Sequence, residues 1–204
     1  MSVLKKLFGP SREEIWRQLC SQTGSSYAEG GFGKGDRLEA THGPWTVTLD
    51  TYAVSTGKAT IVYTRMRAPY VNPEGFRFTV YRKGIFTAIG KWFGMQDVTV
   101  GHEDFDRDFV IQGSDPQKLQ GLFSNQKIRE LIAAQPEIRF SVEDDDGKFW
   151  SKSFPEGVDE LHFQVAGVIK DLDRLKLLFD LFVETLDELC RMGSAMQQAP
   201  PVKV

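Results

Sequence analysis

Residues 58–68, Lys-Ala-Thr-Ile-Val-Tyr-Thr-Arg-Met-Arg-Ala, alternate in character and are rich in β-branched and aromatic side chains, the pattern of a β-strand. Successive side chains of a strand point to opposite faces. Val62, Thr64 and Met66 therefore share one face, and Tyr63, Arg65 and Arg67 the other. The same reading holds on either side, at 45–53 and 75–83, with a turn at Thr56-Gly57 and a longer loop from Pro69 to Gly75. Trp45, Val47, Leu49, Phe76, Phe78 and Val80 join the apolar face. Asp50, Tyr52, Arg77, Tyr81 and Lys83 join the polar one. Three such strands in succession predict an antiparallel sheet with a basic, tyrosine-interleaved face.

Around this sheet the signals change period. Ser11 and Glu14 form a capping box ahead of Ile15, Trp16 and Leu19, and Gly24 is placed to stop that first helix. Short strands are expected at 97–100 and 108–112 around an acidic turn. Ser114-Asp115-Pro116 opens a helix with proline at its first position, and Asn125 opens another. A hairpin is expected at 137–143 and 148–153 about Asp144-Asp145-Asp146-Gly147, then a strand at 160–168 with Leu161, Phe163 and Val165 inward and His162 outward. Leu172, Leu175, Phe179, Phe182, Leu186 and Leu189 mark a long amphipathic helix from Asp171 to Met192. These elements predict the α+β class. One domain is expected over 1–192, an antiparallel sheet packed by helices, with a disordered tail at 193–204.

The formal charge of −3 conceals an asymmetry. Residues 1–100 hold 13 Lys and Arg against 8 Asp and Glu, whereas 101–204 hold 12 against 20. Either the two parts attract each other or each presents a field to a partner. The acidic total argues against bulk capture of nucleic acid. Cys20 and Cys190 form neither a disulfide framework nor a metal knuckle. With no signal peptide and no apolar run of about 20 residues, the chain reads as cytoplasmic and without a transmembrane segment.

Three places carry chemistry worth weighing. The first is the face bearing Tyr52, Tyr63, Arg65, Arg67, Arg77, Tyr81 and Lys83, since tyrosines beside arginines are how sheets hold anionic ligands or stacked bases. Its bland alternative is ordinary cross-strand pairing, or cover by the acidic half. The second is the segment 84–95, where Phe86, Trp92 and Phe93 are suited to a partner or a membrane surface; a flap folded on the sheet uses the same residues. The third is His102-Glu103-Asp104-Phe105-Asp106, which shares its first two positions with a zincin motif but lacks the second histidine. There His102, Glu103, Asp106 and Asp108 are the metal-ligand candidates, and a solvated acidic turn is the alternative. Gly30 to Gly35 lacks the Lys-Ser/Thr ending of a P-loop, Asp144 to Gly147 lacks the closing glutamate of a calcium loop, and no nucleophile elbow exists.

The stretch Gly-Met-Gln-Asp-Val-Thr-Val-Gly-His-Glu-Asp-Phe-Asp-Arg-Asp-Phe-Val-Ile-Gln-Gly-Ser-Asp-Pro (94–116) and the Leu-Gln-Gly-Leu-Phe-Ser that begins at Leu119 resemble uncharacterised bacterial proteins grouped as a domain of unknown function. Tyr-Thr-Arg-Met-Arg-Ala-Pro (63–69) and Pro-Glu-Gly-Val-Asp-Glu-Leu (155–161) extend the resemblance. It implies a shared fold, with Phe105 and Phe109 as core anchors, and no activity. Some members look membrane-anchored, and this chain departs from them in having no span. The expectation is a non-enzymatic intracellular binding or scaffolding module without cofactor, its partner another protein or an anionic ligand. A homodimer through the C-terminal helix is a second use of the heptad, and a metal-dependent hydrolase at 102–108 the alternative function.

Overall fold

The computed structural model describes residues 10–29, 36–55, 57–84, 96–144, 154–202 and 204. Among them, nine strands form one antiparallel sheet. In chain order they are β1 (Ser26–Ala28), β2 (Arg37–His42), β3 (Trp45–Ser55), β4 (Thr60–Val71), β5 (Phe78–Arg82), β6 (Gln96–Asp97), β7 (Phe109–Gly113), β8 (Arg139–Glu143) and β9 (Val158–Ala166). The spatial order is β1-β2-β3-β4-β9-β8-β5-β7-β6. Five helices accompany them: α1 (Arg12–Thr23), α2 (Glu103–Asp108), α3 (Pro116–Ser124), α4 (Gln126–Ala133) and α5 (Leu172–Arg191). The fold is α+β, as expected.

Local chemistry sets the helix ends. The Ser11 side chain accepts from the Glu14 amide while Glu14 reaches back to the Ser11 amide, and Gly24 closes α1 at φ 69°, a left-handed conformation that favours glycine. Asp115 and Asn125 cap α3 and α4 through side-chain oxygens that each accept two amide N–H groups.

Register divides the sheet into two unlike faces. One cross-strand row runs Tyr27, Leu38, Leu49, Met66, Phe163, Phe140, Val80 and Ile111. It packs on the helices: Phe78 of β5 meets Phe123 of α3 edge-on at 6.0 Å, and Phe140 meets Phe182 of α5 at 5.5 Å. The neighbouring row, one residue along each strand, runs Ser26, Glu39, Thr48, Arg67, His162, Ser141, Thr79, Gln112 and Asp97. Every member of the first row is apolar and every member of the second is polar.

Several expectations need correction. β5 does not lie beside β4; β9 and β8 stand between them, because the loop after Val71 carries the chain across to a slot next to β7. His162 is buried rather than outward, since neighbouring strands cover both its flanks. Residues 103–108 are a helix rather than a turn. The Asp106 carboxylate folds back to accept the amides of Val100, Gly101 and His102 at 2.9, 2.9 and 3.0 Å. The tail is not wholly loose: Ser194 and Ala195 are buried, and the Met196 amide donates to Val71 O at 2.9 Å. The apolar stripe of α5, read as a homodimer seam in one of its two uses, is spent inside the fold, with Leu175, Phe179, Phe182, Leu186 and Leu189 buried in the core. The second strand of the hairpin expected at 148–153 lies outside the described residues.

Candidate functional site

The centre of the polar face is a cluster of charges with almost no solvent access. β4 places Arg65 and Arg67 side by side at alternate positions, each 4% exposed, and β3 brings Asp50 opposite Arg65. The Asp50 carboxylate accepts from Arg65 Nε and Nη2, both at 2.9 Å, and from Arg67 Nη2 at 2.7 Å. On the other side β9 supplies Glu160, whose Oε2 lies 3.9 Å from Arg67 Nη1. Burial alone pushes the Asp50 carboxyl up, but the hydrogen bond from Arg65 and the charges of both arginines hold it below the usual range.

A second group adjoins it. The Glu143 carboxylate on β8 accepts from Ser141 Oγ at 2.7 Å and from Arg139 Nη2 at 3.0 Å, with His162 Nδ1 3.4 Å away. Burial pushes its carboxyl up; His162, Arg139 and Ser141 outweigh that and bring it to about 2. Asp50, Glu143 and Glu160 thus face Arg65, Arg67 and Arg139. The charges balance, so the face shows no net positive field. Buried ions need such pairing, because an uncompensated one costs several kcal/mol or more.

Toward the β3–β4 turn the face becomes aromatic, then aliphatic. Tyr52 and Tyr63 stack at 5.3 Å with 17° between their planes. The Arg65 guanidinium lies over the Tyr52 ring at 4.7 Å, and Tyr52 Oη donates to Gln164 Oε1 at 2.8 Å. Beyond this stack β2 has ended opposite Asp50 and β9 opposite Tyr63. Only the pairs from Tyr63 outward to Ser55↔Thr60 remain, a two-stranded ribbon that carries Val54 and Ile61 on this face, exposed at 42% and 39%, and Val62 on the opposite one, exposed at 37%.

The predicted site residues are therefore partly gathered and partly dispersed. Tyr52, Tyr63, Arg65 and Arg67 come together. Arg77 lies before β5 and binds Asp159 at 2.9 Å and Asp144 at 2.7 Å. Tyr81 sits opposite Arg139 on β5, and Lys83 donates to Asp106 O at 2.8 Å. Phe86, Trp92 and Phe93 lie outside the described residues. On α2, Asp106 is engaged by three amides as above and Asp108 accepts from Arg107 at 2.9 Å. Among the described residues no group of three or more His, Cys, Asp or Glu side chains could hold a metal ion. A shallow depression does lie there, between His102, Glu103 and Asp108 on one side and Arg129 and Glu130 on the other.

Sequence reading did not single out Glu143, Glu160 or Arg139, and it placed His162 outside. The alternation of Glu160, His162 and Gln164 against Leu161, Phe163 and Val165 was the available signal. Ion pairs also join the basic and acidic parts of the chain: Arg67 with Glu160, Arg77 with Asp159, and Glu74 with Lys118.

No family model and no curated protein matches the chain. Among solved structures it is similar to the mycobacterial trehalose monomycolate transport factor A, TtfA, at 8% identity and a TM-score of 0.52, over 94% of this chain and 98% of that one. At that identity the likeness is one of fold.

Proposed function

We propose that this chain is a non-enzymatic binding module that holds a protein partner through the projecting end of its β3–β4 hairpin. One observation carries the reading. Of the four exposed large hydrophobic side chains among the described residues, three stand on that ribbon, with Val54 and Ile61 paired directly across the strands on the Tyr52–Tyr63 face and Val62 on the reverse. Clustered exposed apolar groups mark interaction surfaces, whereas single ones do not. Covering such a side chain fully is worth about 1.5–3 kcal/mol, and the adjoining Tyr52–Tyr63 stack adds rigid aromatic area at little entropic cost. An anionic ligand is the weaker choice, because Asp50 and Glu160 already meet the charges of Arg65 and Arg67.

Two further observations support the reading. The similarly folded TtfA is described as a transport factor, which is compatible with a binding module. Cys20 and Cys190 are free thiols, which suits the reducing, cytoplasmic setting. No helix among the described residues is long and apolar enough to cross a membrane.

The test is site-specific photo-crosslinking in the native cell, with the probe at Ile61 and a control probe at Gln120 on α3. A discrete adduct from Ile61 alone, lost on Val54→Lys, is the expected result. The same adducts from both positions, or none from Ile61, would remove the hairpin as the binding surface.

A further inference from the structure

At the other end of the same face, β3 and β4 part company. Their pairing stops at Thr48↔Arg67, while β3 continues along β2 to Trp45 and β4 continues along β9 to Val71. Pro69 sits where the strands separate and has no N–H to leave unpaired. The result is a trough walled by Glu39, Pro44, Thr46, Thr48 and Pro69. The chain's own last segment lies along it, and about 140 Å³ remains open between the two.

The way that segment sits is informative. Gly193, Ser194 and Ala195 hydrogen-bond back to the end of α5, and the Met196 amide donates to Val71 O. Beyond Met196 the anchoring ends. Among the described residues of 197–204, only Gln198 makes hydrogen bonds, and both run back to Met196. Yet Pro200, Val202 and Val204 are half-buried while Ala199 and Pro201 are exposed. That alternation belongs to an extended segment laying one edge into a groove. Two consecutive prolines fix φ near −65° in advance, so such a segment loses little entropy on binding.

We propose that this groove is a docking site for an extended, proline-containing peptide with apolar side chains at alternate positions, and that Pro200, Val202 and Val204 line it as an intramolecular substitute for a partner's segment. The recognition is that of an extended chain whose alternate side chains enter a trough of prolines, threonines and Glu39. Tethering raises the local concentration of the resident segment to the order of millimolar, so a peptide from outside enters only when the resident leaves. The site is separate from the hairpin end and does not depend on its function.

The experiment uses the full chain and a fluorescent peptide with the sequence of residues 197–204, followed by anisotropy. Replacing Val202→Asp and Val204→Asp together puts charges at two groove-facing positions and should release the resident segment. The double variant is expected to bind the peptide at least tenfold tighter than the wild type does. A peptide carrying the same two aspartates should bind neither protein, and Thr46→Arg in the double variant should abolish uptake. Equal binding by wild type and variant, or no binding by either with unchanged far-UV circular dichroism, would overturn the proposal. So would a wild-type dimer that dissociates on the same substitutions, since it would put a second copy's segment in the groove. Val204→Asp alone serves if the double variant does not fold.

Discussion

Two adjacent rows of side chains cross this sheet, and their centres are equally dry for opposite reasons. Met66, Phe163 and Phe140 are fully buried on the helix face; Arg67, His162 and Ser141, one residue away on the same three strands, are 4%, 2% and 0% exposed. The apolar row is stabilised by transfer from water, which is additive and tolerant of imperfect geometry. In the polar row each ion must recover its lost hydration from named partners, so stability there depends on completeness of pairing. The two rows should therefore respond to substitution by different rules.

The largest effect is expected from Asp50→Ala. It strips two buried guanidiniums of their shared partner and should cost about 3–5 kcal/mol in urea unfolding, as much as the cavity left by Phe163→Ala. The rows then diverge. Replacing Asp50, Arg65, Arg67 and Glu160 together with Leu, Met, Leu and Leu should restore most of the loss, since a packed apolar quartet escapes the desolvation cost and leaves no buried carboxylate unpaired. No second apolar truncation will rescue Phe163→Ala. If the quadruple replacement is as unstable as Asp50→Ala, the cluster is more than an internally neutralised set of charges.

Acid should distinguish the faces next. Glu143 titrates near 2 in the folded protein and near 4.3 unfolded, so the folded state binds its proton more weakly. Its contribution is complete above the unfolded value and is lost as pH falls from about 5 to 2, amounting to roughly 3 kcal/mol. Glu143→Gln should remove that part of the acid sensitivity, visible as a shallower fall of melting temperature over this range. An unchanged slope would locate acid sensitivity elsewhere.

A finer comparison sits on β8, where consecutive residues point to opposite faces. Val142→Ala should cost about 2 kcal/mol at every pH, as buried methyl groups do. Ser141→Ala should cost about 1.5 kcal/mol at neutral pH, the value of a hydrogen bond to a charged group. That cost should shrink toward pH 2 as Glu143 is protonated. The smallest effect is expected where neither rule applies: Val54→Thr and Ile61→Thr on the exposed ribbon should change stability by less than about 0.5 kcal/mol. Crosslinking from a probe at Ile61 should nevertheless be lost in Val54→Thr.

Much of this was legible in the chain. Alternation at 58–68 assigned Met66 and Arg67 to opposite faces, the capping box located α1, and the apolar stripe of 172–189 located α5. These are local signals, carried by periodicity and caps. The burial of Arg65 and Arg67 was legible only as the alternative of cover by the acidic half, because Glu160 and His162, which create it, arrive from the far end of the sequence. Nor was the insertion of β5 between β8 and β7, which no residue near β5 encodes. Helix α2 escaped because four acids in 103–108 resemble a turn until Asp106 is seen capping the amides ahead of it. Ser194 and Ala195 escaped because small residues carry no apolar signature, yet fit against a core that only the fold creates.

The β4–β9 seam has a consequence for how the chain comes to be folded. Thr64 Oγ1 donates to Gly167 O across 103 positions of sequence, and the seam joins the sheet's N-terminal strands to the rest. At roughly 5–20 residues per second on the ribosome, β4 waits several seconds, its outer edge open, before its second neighbour exists. During that interval the β1–β2–β3–β4 meander and the β8–β5–β7–β6 group can each form, with no strand yet to join them. Closing so distant a pair makes refolding slow for a chain of this size, on the millisecond-to-second scale of topologies dominated by non-local pairing. The nascent chain is then most open to mispairing just before residue 166 emerges.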